Sequence, residues 1–96
     1  MKLALGTVQF GLDYGVANAS GQVPVDEVRR ILALARESGV DTLDTAAAYG
    51  ESEAVLGAAG AGDFRLVTKI SPHGGGGSHA MAVRESLLRS LHRLAC

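Results

Sequence analysis

The sequence alternates three short β-permissive runs with three segments of helical pattern, and this alternation constrains the fold more than any other feature. The β-permissive runs cover residues 2–8, 40–45 and 64–70, and the first ends near Thr7 or Val8. Strands separated by helices of this length pair in parallel and are joined by right-handed crossovers. The order β-α-β-α-β-α therefore predicts an α/β fold built on a parallel sheet.

The helical segments are marked by apolar residues that recur every three or four positions. The first begins near Pro24 and ends at Gly39, the second covers Ser52–Ala59, and the third begins near Ser78. Proline suits a first helical turn, and glycine suits the position just after a helix. Two apolar stripes are predicted, one in the first helix and one in the last: Val28, Ile31, Leu32 and Ala35; Val83, Leu87, Leu91 and Leu94.

Two architectures share this order of elements. An open doubly wound sheet carries Gly-x-Gly-x-x-Gly after its first strand, and the segment from Gly6 to Gly11 does not fit that pattern. A (β/α)8 TIM barrel instead places its functional residues at the carboxyl ends of successive strands, where Thr7, Asp44 and Lys69 fall. Residues 1–96 are therefore predicted to form the first three βα units of a partial (β/α)8 barrel, with parallel strands.

Composition excludes several classes of function. The net charge of -1 gives no reason to expect a nucleic-acid partner. Cys96 is the single cysteine, so an intrachain disulfide and a cysteine-based metal site are both excluded, and no metal is expected. No stretch approaches the roughly 20 apolar residues that cross a bilayer. These features predict a cytoplasmic protein with no membrane partner.

Three polar residues at neighbouring strand ends are the candidates for catalysis. Asp44 ends the second strand, Tyr49 lies in the loop after it, and Lys69 ends the third strand. Neighbouring strands lie about 5 Å apart, so these groups should meet at one rim of the barrel. A nearby ammonium stabilises a phenolate, and a carboxylate fixes the ammonium by a charge-assisted hydrogen bond. Such a phenol can donate a proton to a carbonyl oxygen as negative charge develops there.

Four ordered blocks resemble the aldo-keto reductase family. The most specific is Asp44-Thr45-Ala46-x-x-Tyr49-Gly50-x-Ser52-Glu53-x-x-Leu56-Gly57. The others are Leu5-Gly6-Thr7 with Phe10-Gly11, Val67-Thr68-Lys69, and Ser90-Leu91-x-Arg93-Leu94. Together they cover nearly the whole chain.

The resemblance implies an oxidoreductase that reduces a small aldehyde or ketone with NADPH. It assigns Tyr49 as the general acid, Lys69 as the group that tunes it, and Asp44 as the charge partner. Gly6, Thr7 and Val8, together with Asp44, would lie at the cofactor.

Other features depart from the family pattern. The family's catalytic histidine ends a fourth strand, whereas this sequence ends at Cys96; His92 lies inside a helix, and His73 is a weak substitute. We therefore expect the chain to be the N-terminal portion of a reductase barrel domain, a fragment that is inactive alone. Two alternatives stay open. The first is a non-catalytic half-barrel that docks onto another polypeptide, or onto a second copy of itself, through its open strand edges. The second is a metal or acid/base site formed by Asp44 and Glu53. The glycine run 74–77 is predicted to be a mobile connector, because it lacks the ending of a phosphate-binding loop.

Overall fold

The computed structural model describes residues 2–13, 15, 21–70 and 79–96. The glycine run and His73 lie outside these residues. The described residues form three strands, four α-helices and one 3-10 turn. In chain order the elements are β1 (Ala4–Gly6), α1 (Val8–Gly11), α2 (Val25–Glu37), β2 (Thr42–Asp44), α3 (Ser52–Ala58), the 3-10 turn (Ala61–Asp63), β3 (Arg65–Val67) and α4 (His79–Leu94).

The three strands form one parallel sheet in the order β1-β2-β3, which confirms the predicted α/β fold. Gly6 lies opposite Asp44, and Asp44 lies opposite Val67, so the strands end at the same edge of the sheet. The ladder continues past the strands, because the amide of Thr45 donates to Val67 at 2.8 Å and that of Ala47 donates to Lys69 at 3.1 Å. This continuation holds the candidate residues level with one another.

One face of α2 packs on the sheet and forms the centre of the core. Val28, Leu32 and Ala35 are buried there, as the apolar stripe predicted, and Ile31 is partly buried. Leu43 of β2 and Leu56 of α3 are fully buried in the same cluster. The core therefore joins α2, the central strand and α3 into one unit behind the edge that carries the site.

The segment after β1 differs from the prediction. Thr7 and Val8 were expected to end the strand and a loop to start at Gly11, but the strand ends at Gly6 and a helical turn covers Val8–Gly11. The turn directs Phe10 into the core, where only 4% of its surface is exposed. Burial of this large side chain decides the local conformation, and a β-permissive sequence does not reveal it.

The apolar stripe predicted in the last helix, α4, does not face the core as a whole. Val83, Leu87 and Leu91 are between 37% and 42% exposed, whereas Ser86 and Ser90 are buried. Leu94 is buried as expected. The helix turns its small polar face inward because the serines allow a close approach to α3 and because a buried carboxylate on α3 requires hydrogen-bond donors. Apolar periodicity alone therefore identified the helix but not its orientation.

Gly57 permits the contact between α3 and α4. A Cβ atom at this position would overlap the carbonyl oxygen of Arg93. Replacing a helical glycine with alanine normally stabilises a helix by about 1 kcal/mol. Here we expect Gly57→Ala to destabilise the chain by about 1–3 kcal/mol, because the two helices must move apart.

Urea denaturation of the chain measures this effect, and Gly62→Ala is the matched control. A Cβ atom at Gly62 meets open space, so that substitution should leave the free energy of unfolding within about 0.5 kcal/mol of the original value. Equal stability of the two variants would contradict the close approach at Gly57.

Candidate active site

Asp44 and Lys69 form an ion pair at the edge where the strands end. The ammonium nitrogen of Lys69 donates to Oδ1 of Asp44 at 2.6 Å and to the carbonyl oxygen of Thr45 at 3.0 Å. The register produces this pair: Asp44 lies opposite Val67, and Lys69, two residues further on, projects to the same side of the sheet. Both side chains are about half exposed, so the pair remains accessible to a ligand.

Tyr49 approaches the same ammonium from the turn between β2 and α3. The amide of Tyr49 donates to Ala46 at 3.1 Å, and Gly50 follows in the left-handed region, with φ of 56°. A Cβ atom at Gly50 would also overlap the carbonyl oxygen of Gly11, so glycine is required there on two grounds. The turn brings the Tyr49 ring centroid to 5.0 Å from Nζ of Lys69. The three predicted catalytic residues therefore meet at one place.

The electrostatics of the trio favour a charged lysine. The hydrogen bond to Asp44 is the main cause that raises the pKa of Lys69, the Tyr49 hydroxyl adds to it, and partial desolvation opposes both. A raised lysine pKa means that the ammonium stays protonated at neutral pH and that its extra stabilisation disappears only as the pH rises past that pKa. The site therefore presents a lasting positive charge beside the Tyr49 ring.

A cleft of about 300 Å3 opens in front of these residues. Gly6 lies on its wall, and a Cβ atom built there meets open space. The Thr7 hydroxyl, in contrast, is fully buried and donates to the carbonyl oxygen of Asp44. The lining contains all of the residues predicted to bind the cofactor and all three predicted catalytic residues: Ala4, Gly6, Thr7, Val8, Asp44, Tyr49 and Lys69.

Glu53 lies away from this cleft and does not form a site with Asp44. Its side chain is 1% exposed, and its carboxylate accepts hydrogen bonds from Arg93, Ser90 and Thr68. Among the described residues no group of three or more histidine, cysteine, aspartate or glutamate side chains could hold a metal ion. The metal or acid/base site suggested by the sequence is therefore not formed by this pair.

The histidines of the described segments do not reach the cleft lining. His92 lies on α4, as predicted, where it is exposed, and His79 is the first residue of that helix. No α-helix in the described part of the chain is long and apolar enough to span a membrane.

Sequence patterns missed the buried polar groups beneath the site. Ser52 and the two threonines at positions 7 and 45 form one cluster of hydroxyl groups, and Glu53 anchors a second cluster. The available signal was the Ser52-Glu53 pair at the start of a short apolar helix, where two polar residues are flanked by Ala54, Val55 and Leu56. Polar residues in such a place are buried only when partners satisfy them.

The chain resembles known proteins in both sequence and fold. The family model described as the aldo/keto reductase family matches residues 2–96. Two solved Pseudomonas aeruginosa proteins assigned as aldo-keto reductases are 40% and 35% identical to the chain, with TM-scores of 0.77 and 0.74. An aldo-keto reductase from Bacillus halodurans, solved in its holo form, is 25% identical, with a TM-score of 0.70.

These structures are much longer than the chain. The first two matches cover 96% of the chain but 38% and 36% of the matched proteins, and the third covers 98% of the chain and 32% of the matched protein. The chain thus spans about a third of the length of the solved structures that it matches. A comparison with curated proteins gave no significant match.

Proposed function

Because the chain belongs to the aldo/keto reductase family, we propose that it carries the proton-donating part of a site that reduces small aldehydes or ketones with NADPH. The observation that carries the proposal is the meeting of Asp44, Lys69 and Tyr49 at one edge of the sheet. A carboxylate, an ammonium and a phenol in this order can act as a general acid, because the positive charge is in place to stabilise the phenolate that proton transfer leaves. The matched family and the solved relatives support an oxidoreductase.

In this proposal Tyr49 is the proton donor. Its hydroxyl donates the proton to the carbonyl oxygen of the substrate while negative charge develops on that oxygen. Lys69 stabilises the phenolate that remains, and Asp44 holds the ammonium in place through the 2.6 Å hydrogen bond. The roles follow from charge: the positive neighbour is already in place when the phenolate forms.

The cleft fits the reacting end of a nicotinamide cofactor. It is open at Gly6, partly apolar at Val8, and bounded by the Asp44–Lys69 pair, so a flat, partly polar ring can lie against it. Gly6, Val8 and Asp44 would hold that end of NADPH, whereas Thr7, which the sequence also assigned to the cofactor, is fully buried and would support Asp44 from beneath. When bound, NADPH supplies the hydride for the carbonyl carbon.

The single cysteine is consistent with our placing the protein in the cytoplasm, where thiols remain reduced.

The direct test is NADPH-dependent reduction of a panel of aldehydes and ketones. The rate is measured as the loss of NADPH absorbance. Since the chain spans about a third of its relatives, turnover is measured in the chain itself and in a hybrid protein. In the hybrid, residues 2–96 replace the segment to which they align in the 40% identical Pseudomonas aeruginosa protein. We expect the hybrid to reduce carbonyl compounds that this relative also reduces.

Lys69→Met should lower kcat/KM of the hybrid at least about 100-fold, because the phenolate loses its positive neighbour. Lys2→Met removes a lysine of the exposed N-terminal segment, outside the cleft lining, and should leave kcat/KM within about twofold. Turnover that survives Lys69→Met would contradict the assigned role of the ammonium.

A second candidate function is self-association of the chain through its strand edges. β1 and β3 each pair only with β2 in the described residues, so each leaves one edge open, and Val67 on β3 is 49% exposed. Open edges are templates for pairing with another chain. Light scattering should then give a mass above the 9.8 kDa of one chain, and Val67→Lys should reduce it. A monomeric chain of 9.8 kDa would remove this candidate.

A further inference from the structure

Three buried hydroxyl groups lie directly beneath the candidate active site. Ser52 occupies the centre, with its oxygen 2.9 Å from the hydroxyl of Thr7 and 2.9 Å from that of Thr45. All three residues are fully buried. They come from different elements: Thr7 follows β1, Thr45 follows β2, and Ser52 begins α3.

The number of protons sets the direction of this hydrogen-bond chain. The Thr7 hydroxyl donates to the carbonyl oxygen of Asp44 at 2.9 Å, so its one proton is used. The Ser52 hydroxyl donates to the Thr7 carbonyl oxygen at 3.1 Å, so its one proton is used as well, and either hydroxyl can share its proton across the 2.9 Å contact between the two. Thr45 is then the donor to Ser52. The chain therefore runs from Thr45 through Ser52 and Thr7 to the backbone of Asp44.

This hydroxyl chain is attached to the candidate site both at its ends and at its centre. Asp44 and Thr45 supply the two oxygen atoms that accept from the Lys69 ammonium. On the other side, the backbone amide of Ser52 donates to the carbonyl oxygen of Tyr49 at 3.0 Å. Ser52 thus contacts both Thr45, whose carbonyl oxygen binds the Lys69 ammonium, and the backbone of Tyr49, which carries the phenol.

We propose that Ser52 is a positioning residue, which fixes the distance between the Lys69 ammonium and Tyr49 through the hydroxyl chain to Thr7 and Thr45. This role rests on the proposed reductase function and adds a determinant of its rate. Alanine would fill most of the same space without burying a polar group, so simple packing does not require a hydroxyl here. A fully satisfied buried network instead selects one arrangement of the elements that it joins.

Three variants test the proposal. Ser52→Ala removes the central hydroxyl, and Thr7→Val cuts the link to Asp44 while conserving the shape of the side chain. Thr42→Val is the matched control, because Thr42 begins β2, the strand that ends at Asp44. Among the described contacts its hydroxyl bonds only to the exposed carboxylate of Asp41.

The first readout is the pKa of Lys69 in the 96-residue chain. It is measured by NMR titration of the Lys69 side-chain signals. Asp44 and Tyr49 are the groups that raise this pKa. Ser52→Ala and Thr7→Val should move it down toward the ordinary lysine value, because Asp44 is then held less firmly. Thr42→Val should leave it in place.

The second readout is turnover by the hybrid protein. Ser52→Ala and Thr7→Val should lower kcat by about 10- to 100-fold with little change in KM. The reason is that a displacement of catalytic groups by up to about 1 Å lowers the reaction rate by such factors. Thr42→Val should stay within about twofold of the original kcat.

The outcomes separate this inference from the proposed function. The positioning role is overturned if folded Ser52→Ala and Thr7→Val chains keep the original Lys69 pKa, or if Thr42→Val shifts it equally. If Ser52→Ala fails to fold, the shape-conserving Thr7→Val decides the matter. An unsubstituted hybrid without turnover would contradict the reductase proposal, whereas the Lys69 titration would still decide whether Ser52 positions that lysine.

Discussion

Tyr49→Phe is expected to lower kcat/KM of the hybrid protein by about 10²- to 10⁴-fold, the range that general acid catalysis contributes. Phenylalanine keeps the ring, whose centroid lies 5.0 Å from the Lys69 ammonium, and removes only the hydroxyl. The loss should appear mainly in kcat, because the proton is transferred in the transition state and not when the substrate binds. Initial rates with varied aldehyde and saturating NADPH measure both parameters.

Two controls accompany this substitution. The free energy of unfolding of the chain should change little, because the cation–π contact with Lys69 survives and Tyr49 is only partly buried. The affinity of the hybrid for NADPH, measured by fluorescence, should also be conserved. A Tyr49→Phe hybrid with full turnover would remove the assigned acid and, with it, the proposed mechanism.

Glu53→Ala is expected to have the largest effect on stability. The Glu53 carboxylate is 1% exposed and accepts from Nε of Arg93 at 3.0 Å, from Ser90 at 3.1 Å and from Thr68 at 2.7 Å. Its removal leaves these donors without their acceptor and opens a cavity between α3 and α4. Breaking a buried ion pair by removing one partner costs about 3–5 kcal/mol. We expect about 2–4 kcal/mol, since the Arg93 side chain remains 32% exposed and regains water.

Urea denaturation of the chain measures this loss, with Glu51→Ala as the matched control. Glu51 precedes α3 and is exposed, and its side chain makes no capping hydrogen bond. That substitution should change the free energy of unfolding by less than about 0.5 kcal/mol. If both alanine variants are equally stable, the buried carboxylate is not the anchor between the two helices.

The acid dependence of stability provides an independent test of Glu53. Burial by itself raises the pKa of Glu53, but the hydrogen bonds from Arg93, Thr68 and Ser90 outweigh it, so the pKa is lowered. A lowered carboxyl pKa contributes stability above the unfolded value of 4.5, and this contribution is lost as the pH falls through the folded value.

The stability of the unsubstituted chain should therefore fall more steeply below about pH 4.5 than that of Glu53→Gln. Comparison of the two proteins is necessary because Asp63, whose pKa is lowered by its hydrogen bond to Arg36, adds a similar dependence to both. Parallel pH profiles would contradict the lowered pKa of Glu53.

The sequence predicted the site better than it predicted the packing around it. Asp44 and Lys69 were placed together because polar residues at the ends of parallel strands share one edge, a rule that depends only on topology. Tyr49 followed because it lies in the loop directly after the second strand. These inferences need strand order and spacing, both of which are visible in a single sequence.

The orientation of α4 depends on a partner that periodicity does not show. Ser86 and Ser90 are buried because Gly57 allows a close approach and because Glu53 needs donors, and both causes lie on a different helix. The hydroxyl chain through Ser52 was hidden for the same reason, since its members are 45 and 7 residues apart in sequence. Long-range polar contacts of this kind become visible only in three dimensions.

The most direct test of the central claim is the proximity of Lys69 to Tyr49 in solution, measured by nuclear Overhauser effects in the 96-residue chain. The account predicts cross-peaks between the side-chain methylene protons of Lys69 and the ring protons of Tyr49, because the ammonium lies 5.0 Å from the ring centroid. Ring-current shifts of the same methylene protons should accompany them. A folded chain that shows cross-strand contacts between β2 and β3 but no contact between these two side chains would contradict the account.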